Sequence, residues 1–397
     1  MEYTFSSKIA TVKPSAIREI LKMSSDPSVI SLAAGNPAPD AFPVKEVEKI
    51  TADILREDPI LALQYSVTEG YPALRDTLRT FARNRYDVMG AEDDLIVVSG
   101  AQQGLELSCK CLCNEGDTML CEDPSFVGAL NAFRSYNVHL AGIPVEEDGL
   151  SIEALEKALK EQKNVKLLYT IPNFQNPSGA TMSWEKRQRV YELCRQYNVM
   201  ILEDNPYGDL RFEGESVPAI KTLDEEGRVI YCGSFSKILS PGLRVGFVVA
   251  NEAVLQKLVV AKQCADVHTS ILSQLICLRF LNDYDVEAHI GRLCEIYRRK
   301  SALMLGEMQK HFSPEVRTIR PQGGLFIWCT LPQGSDMLEF CRRAVADYKV
   351  AVVPGTAFTA KEDAPTTSFR LNFSTPTDEN IVRGIEILGR LTHEFIR

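Results

Sequence analysis

The chain has 397 residues, more than one hydrophobic core comfortably holds, so two domains or one large domain with an appendage are expected. Apolar residues make up 45% and charged residues 24%, and the formal net charge is −9, which argues against a phosphate-tracking nucleic-acid surface but leaves room for a local basic pocket. The first ten residues lack a basic stretch followed by an apolar core, no apolar run reaches the roughly 18 residues that span a bilayer, and 11 scattered cysteines suit reduced thiols, so a cytoplasmic protein free of membrane is expected.

The first 45 residues are rich in Pro and Gly around Ala34-Gly-Asn-Pro37. From about residue 95 to 250, short β-branched runs alternate with longer amphipathic stretches. The runs are Leu95–Val98, Thr118–Cys121, Val165–Tyr169, Val199–Leu202, Val229–Cys232 and Val245–Val249. Most are continuously apolar, as strands buried on both faces are. Between them the segments Gln102 to Cys113 and Ser183 to Gln196 read as helices, the second with Ser183 as N-cap. The alternation implies an α/β fold with a mostly parallel, doubly wound sheet. After about residue 285 the texture changes to a long charged helix, Val286 to about Lys310, and four short strands: Val316–Ile319, Gly324–Trp328, Val350–Val353 and Ser368–Phe373. A large domain over 46–285 and a smaller α+β domain from 1–45 and 286–397 are therefore expected.

No metal site is expected. Cys109, Cys111 and Cys113 lie on one helix, where 109 and 113 share a face and 111 points elsewhere, and no C-x-x-C pair occurs. His139, His268, His289, His311 and His393 have neither metalloprotease nor triad spacing.

Ligands of open α/β sheets sit beyond the carboxyl ends of the strands, and there the unusual residues fall. Ser99-Gly-Ala-Gln-Gln-Gly104 follows the first strand and opens a helix, which points backbone N–H groups at an anion. Pro172-Asn-Phe-Gln-Asn-Pro-Ser-Gly179 is a stiff loop carrying Asn176, which serves either as a ligand donor or as a turn cap. Glu203-Asp-Asn-Pro-Tyr207 puts acids at the end of a buried strand, where they need a cationic or polar partner unless solvent reaches them. Gly233-Ser-Phe-Ser-Lys237 sets one lysine among hydroxyls, and Arg244 follows in Pro241-Gly-Leu-Arg-Val-Gly246. Such a lysine is either a Schiff-base amine, with Arg244 and the hydroxyls gripping a phosphate, or a surface lysine in a serine-rich loop.

With these four motifs in this order, the chain resembles the fold-type-I, class I/II aminotransferases that use pyridoxal 5'-phosphate, over about Ala34 to Arg370. It looks closest to the subgroup of aminoadipate and kynurenine aminotransferases and MocR-type regulators. The resemblance implies that Lys237 carries the cofactor as a Schiff base and shuttles the substrate proton, and that Asp204 pairs with the protonated ring nitrogen. It implies that Asn176 and Tyr207 bond the ring oxygen and that Phe126 stacks on the ring, where many relatives have tyrosine. Gly100, Ala101, Gln102, Ser234, Ser236 and Arg244 match the phosphate cup, and Tyr65 matches the tyrosine that reaches the neighbouring subunit's phosphate in a homodimer. Arg370 matches the clamp on the substrate α-carboxylate, and Gly35 and Asn36 the segment that closes over substrate.

The function so implied is ping-pong transfer of the amino group of an aromatic, branched-chain or 2-aminoadipate-like L-amino acid to a 2-oxo acid, 2-oxoglutarate being the expected acceptor. The same cofactor residues also suit a β-lyase or a cyclopropane-carboxylate-synthase-like enzyme. A non-catalytic sensor domain is the third reading. It fits poorly, because Tyr65 already belongs to the catalytic scaffold and the chain is acidic.

Overall fold

The computed structural model describes residues 3–10, 12, 26 and 28–396. Of the first 45 residues assigned to the smaller domain, the remainder lie outside the described ones.

The strands in chain order are β1 (Ile30–Ser31), β2 (Asp93–Val98), β3 (Thr118–Asp123), β4 (His139–Glu146), β5 (Gly149–Leu150), β6 (Val165–Thr170), β7 (Met200–Asn205), β8 (Val229–Ser234), β9 (Gly246–Asn251), β10 (Arg317–Thr318), β11 (Phe326–Thr330), β12 (Val350–Ala351), β13 (Val353–Pro354) and β14 (Ser368–Asn372). One eight-stranded sheet has the order β2-β9-β8-β7-β6-β3-β4-β5. Strands β8, β7, β6, β3 and β4 are parallel neighbours. Strand β9 runs against both β2 and β8, so β2 points the same way as the parallel set. Helices cover the sheet, and Ile201–Asn205, Val229–Gly233 and Gly246–Ala250 are buried without a break, which explains why these runs lack alternation.

All six apolar runs lie in this sheet. Strand β4 escaped the pattern. It lies next to the edge, with residues such as His139 and Gly142 exposed, and Pro144 interrupts it. A strand covered on one face and broken by proline carries no apolar run.

A second sheet, β10-β11-β14-β13, is antiparallel, and β1 pairs with β12 beside it. The expected run Val350–Val353 is split there into β12 and β13. The chain beyond β1 is stitched in by Leu32, whose N–H donates to Ala351 O (2.9 Å) and whose carbonyl accepts from Asn372 N–H (2.8 Å). Residues 33–36 thereby lie beside β14. The long helix Val286–His311 packs on the last helix, Asp378–Phe395. Among the described residues, no helix is long and apolar enough to cross a membrane.

The helix Trp184–Gln196 starts as its sequence implies, with Ser183 Oγ accepting from Lys186 N–H. Its Arg187 is fully buried and makes five hydrogen bonds, to Met182 O, Val217 O, Pro218 O, Pro172 O and Asn173 Oδ1. One guanidinium therefore anchors the start of the Pro172–Gly179 loop to the helix and to the chain before Ala219. Arg187→Leu is expected to strand these acceptors and to lower unfolding stability by about 3–5 kcal/mol. Urea titration measures it, and a loss below about 1 kcal/mol contradicts the anchoring role.

Candidate active site

Because β2, β3, β6, β7 and β8 run the same way, their carboxyl ends open on one edge of the sheet, and the four motifs meet there.

Ser99 and Gly100 leave β2. Gly100 has φ +78° and caps the helix Ala101–Leu112 without a side-chain bond, so the first N–H groups of that helix keep free donors. Arg244 crosses this turn. Its Nη2 donates to Ser99 O at 3.0 Å, and a Cβ on Gly100 would strike the guanidinium. Glycine is needed for both the dihedral and the approach. Ser234 Oγ accepts from Ser236 N–H at 3.1 Å, which folds the serine loop back on itself. The side chain of Gln102 turns away and donates to Gly128 O (2.9 Å), so at this position the backbone faces the turn. The Phe126 ring lies against Gly128, where a side chain would collide with it.

Asp204 ends β7 at 2% exposure. Its Oδ2 accepts from Tyr169 OH at 3.0 Å, while Oδ1 is buried without a hydrogen-bond partner among the described residues. Burial pushes its pKa up to about 7, against the lowering effect of the Tyr169 hydrogen bond. Lys237 donates from Nζ to Gly35 O at 2.8 Å. Burial, followed by the charges of Arg370 and Arg244, brings its pKa down to about 8. Asn176 bridges two neighbours: Nδ2 donates to Tyr207 OH (3.3 Å) and Oδ1 accepts from Arg370 Nη1 (2.8 Å). Arg370, 2% exposed, also donates from Nη2 to Ala33 O (2.8 Å), and its Nε has no partner. Its guanidinium lies 4.1 Å from the Phe326 ring centre and 4.9 Å from that of Phe358. Among the described residues, no carboxylate pairs with it. Burial lowers its pKa to about 10.

The structure thus gathers Lys237, Asp204, Asn176, Tyr207, Arg370 and Gly35 into one linked group, with Gly100, Ala101, Ser234, Ser236 and Arg244 at the adjoining turn. Asn36 is exposed, and its carbonyl accepts from Ser374 Oγ (2.6 Å). Tyr65 is 80% exposed, its ring edge-on to His268 at 5.8 Å. Sequence reasoning missed Tyr169, Phe326, Phe358 and Glu122. Glu122 is buried at the end of β3 and accepts from Thr170 Oγ1 (2.6 Å), Ile171 N–H (3.1 Å) and Gln175 Nε2 (3.0 Å), which sets the loop that carries Asn176. The one available signal was a phenol and an acid inside strands of aliphatic residues, which must find partners.

An ionised Asp204 without a positive partner costs stability. Its carboxyl titrates near 3.8 when exposed and at about 7 in the fold. Between those values the folded chain keeps a proton that the unfolded chain has released, so stability falls as pH rises through that window and stays lower above it. In the cofactor-free chain, Asp204→Asn is expected to raise Tm by several degrees near pH 8 and by almost nothing near pH 4. Thermal scans at both pH values check this, and an equal shift at both contradicts it.

Residues 27–388 match the sequence pattern of the family described as aminotransferase class I and II. The chain is 42% identical to aromatic-amino-acid aminotransferase 1 of Thermococcus litoralis, over 100% of this chain and 95% of that one. It superposes with TM-score 0.95 and 38% identity on Pyrococcus horikoshii kynurenine aminotransferase, solved with PMP, kynurenine and its product, covering 99% and 98% of the two chains. It superposes with TM-score 0.90 and 37% identity on the alpha-aminoadipate aminotransferase of Thermus thermophilus, complexed with N-(5'-phosphopyridoxyl)-L-leucine, covering 98% and 97%. With the family pattern matched over nearly the whole length and these aminotransferases similar from end to end, the chain belongs to the class I and II aminotransferases and is a pyridoxal-phosphate-dependent transaminase.

Proposed function

We propose that the protein transfers the amino group of an L-amino acid with an aromatic, branched-chain or 2-aminoadipate-like side chain to 2-oxoglutarate by a ping-pong mechanism. The observation that carries this is Arg370: a fully buried guanidinium, flattened between two phenylalanines, oriented by Asn176 and Ala33, and lacking a carboxylate partner among the described residues. A buried cation of this kind lacks only an anion, and the α-carboxylate shared by amino acids and 2-oxo acids supplies it. The apolar side is supported by a satellite cluster of Ala33, Val127, Trp328, Val353 and Phe358, with Phe126 packed on its edge. The relatives named for aromatic, kynurenine and aminoadipate substrates support the same donor range.

The residues present fit pyridoxal phosphate. Asp204 Oδ1 is a buried acceptor with no hydrogen-bond partner among the described residues, suited to the proton on a ring nitrogen. Asn176 and Tyr207 would hold the ring oxygen and Phe126 the ring face. The N–H groups at Ala101 and Gln102, with Gly100 leaving room for the approach, the hydroxyls of Ser234 and Ser236, and Arg244 would hold the phosphate. When bound, the cofactor supplies an electron sink for the charge released at the substrate Cα. Lys237 does the proton work: with its pKa brought down to about 8, an appreciable minority of its Nζ is neutral at physiological pH, far more than for an ordinary lysine, able to attack and then to take the Cα proton. Gly35, held by Lys237 and packed against Phe326, and Asn36 close the substrate side.

The wider assembly forms part of the same proposal. Tyr65 reaches the phosphate of a second copy, so the working unit is a homodimer. Exposure of Ile60, Leu63 and Tyr65 within one short stretch supports this. The eleven free cysteines support a reducing, cytoplasmic location. The division into 46–285 and 1–45 with 286–397 is supported by the two sheets and by the β1–β12 pairing.

The testing experiment mixes the cofactor-loaded protein, 2-oxoglutarate and single donors, and follows glutamate and the new 2-oxo acid. Turnover is expected with aromatic, branched-chain and 2-aminoadipate donors; turnover confined to aspartate or alanine overturns the donor assignment. Lys237→Ala is expected to lower turnover by at least about a thousandfold and to remove the visible absorbance change on adding donor. A variant that still transaminates at the wild-type rate removes Lys237 from the mechanism.

A further inference from the structure

Lys262 is a fully buried lysine beside the site, and nothing in the transamination chemistry uses it. It lies in the last turn of the helix Glu252–Ala265. Its three protons have three residues to serve: Gln103 Oε1 at 2.7 Å, the Asp266 carboxylate at 2.9 and 3.0 Å, and Thr269 Oγ1 at 3.1 Å. An ordinary ion pair at positions i and i+4 would steady the helix end and need neither Gln103 nor Thr269. All three partners reach on to one residue. Gln103 Oε1 also accepts from Ser99 N–H (2.8 Å), and Asp266 Oδ2 accepts from Ser99 Oγ (2.6 Å), with Thr269 Oγ1 a further 3.1 Å from that hydroxyl. The remaining polar atom of Ser99, its carbonyl, accepts from Arg244 Nη2. Every polar atom of Ser99 is therefore committed, and the next residue, Gly100, whose own N–H donates to Val98 O (2.8 Å), leads directly into the helix N–H groups of Ala101 and Gln102. On its other side the network holds the chain that supports Tyr65. Thr269 O accepts from Gln274 Nε2 (2.7 Å) and lies 2.9 Å from His268 Nδ1, and the His268 ring meets Tyr65.

We propose that Lys262 is a positioning residue for cofactor phosphate: through Gln103, Asp266 and Thr269 it fixes Ser99, and through Ser99 it fixes both the Gly100–Gln102 turn and the Arg244 guanidinium. This rests on the reading of that turn as the phosphate cup. The lysine touches no part of the cup itself. Its effect is geometric, since two donors on separate elements share a three-oxygen anion only while the Ser99 carbonyl keeps them in register.

The test compares binding of pyridoxal 5'-phosphate and of pyridoxal, which lacks the phosphate, to the full cofactor-free chain by absorbance titration. Lys262→Met is expected to raise the Kd for pyridoxal phosphate about 10- to 100-fold, the range seen when an outer partner of a binding group is removed, and to leave the Kd for pyridoxal unchanged. Where Lys262→Met does not fold, Ser99→Ala removes only the hydroxyl link and is expected to shift the same ratio several-fold in the same direction. Wild-type preference for the phosphorylated form in a folded variant of either kind overturns the inference. Arg244→Ala separates the two layers. Loss of preference there with its retention in Lys262→Met overturns the positioning role alone, whereas retention in both overturns the cup reading and this inference together.

Discussion

Three ionisable groups, the buried Asp204 and Arg370 and the part-buried Lys237, share one cleft, and the described protein provides none of them with an opposite charge. Buried charge without a partner is among the costliest things a fold can hold. The protein instead satisfies these groups with neutral donors and acceptors: a phenol for Asp204, a carbonyl for Lys237, an amide, a carbonyl and two aromatic faces for Arg370. Each is oriented without being neutralised, which leaves the charge complement to cofactor and substrate. Binding is then directional, because a ring cation, an amine-reactive carbonyl and a carboxylate have one arrangement in which all three are matched.

Such a cleft survives because the buried charged groups behind it are well partnered. Glu203 lies on the same strand as Asp204 but faces the other side, where it accepts from Ile220 and Lys221 N–H groups. Arg187 spends its donors on carbonyls and one amide, and Glu122 accepts from three donors at the start of the Asn176 loop. The contrast between neighbours with complete partners and neighbours without them marks the site more sharply than burial does.

Much of this was legible in the sequence. Continuous apolar runs located six strands because those strands are covered on both faces. Lys237, Asp204 and Asn176 stood out because polar residues directly follow such runs, and a parallel sheet brings the ends of its strands to one edge. The partly covered β4 left no such trace, and neither did the pairing of Tyr169 with Asp204, since it depends on the register of β6 against β7, which neither apolar run states. Phe326 and Phe358 read as ordinary core residues. Their role as the two faces of a guanidinium sandwich depends on the antiparallel pairing of β11 with β14, which sets Phe326 opposite Asn372 and so near Arg370. Residues that act singly at strand ends announce themselves, whereas residues that act in pairs across strands do not.

Lys237 and Lys262 make the same point within one residue type. Burial pushes the pKa of each down. Lys262 recovers part of that cost from a carboxylate and two further acceptors, and so stays a fixed structural cation. Lys237 has one carbonyl and faces two arginines, Arg370 and Arg244, whose charges act in the same direction as burial. A lysine with a carboxylate gives up its proton reluctantly and holds its neighbours in place. A lysine among like charges sheds it near neutral pH and becomes a nucleophile and base. Burial does most to lower the Lys237 pKa, and what separates scaffold from chemistry is that a carboxylate offsets it at Lys262 whereas Arg370 and Arg244 add to it at Lys237.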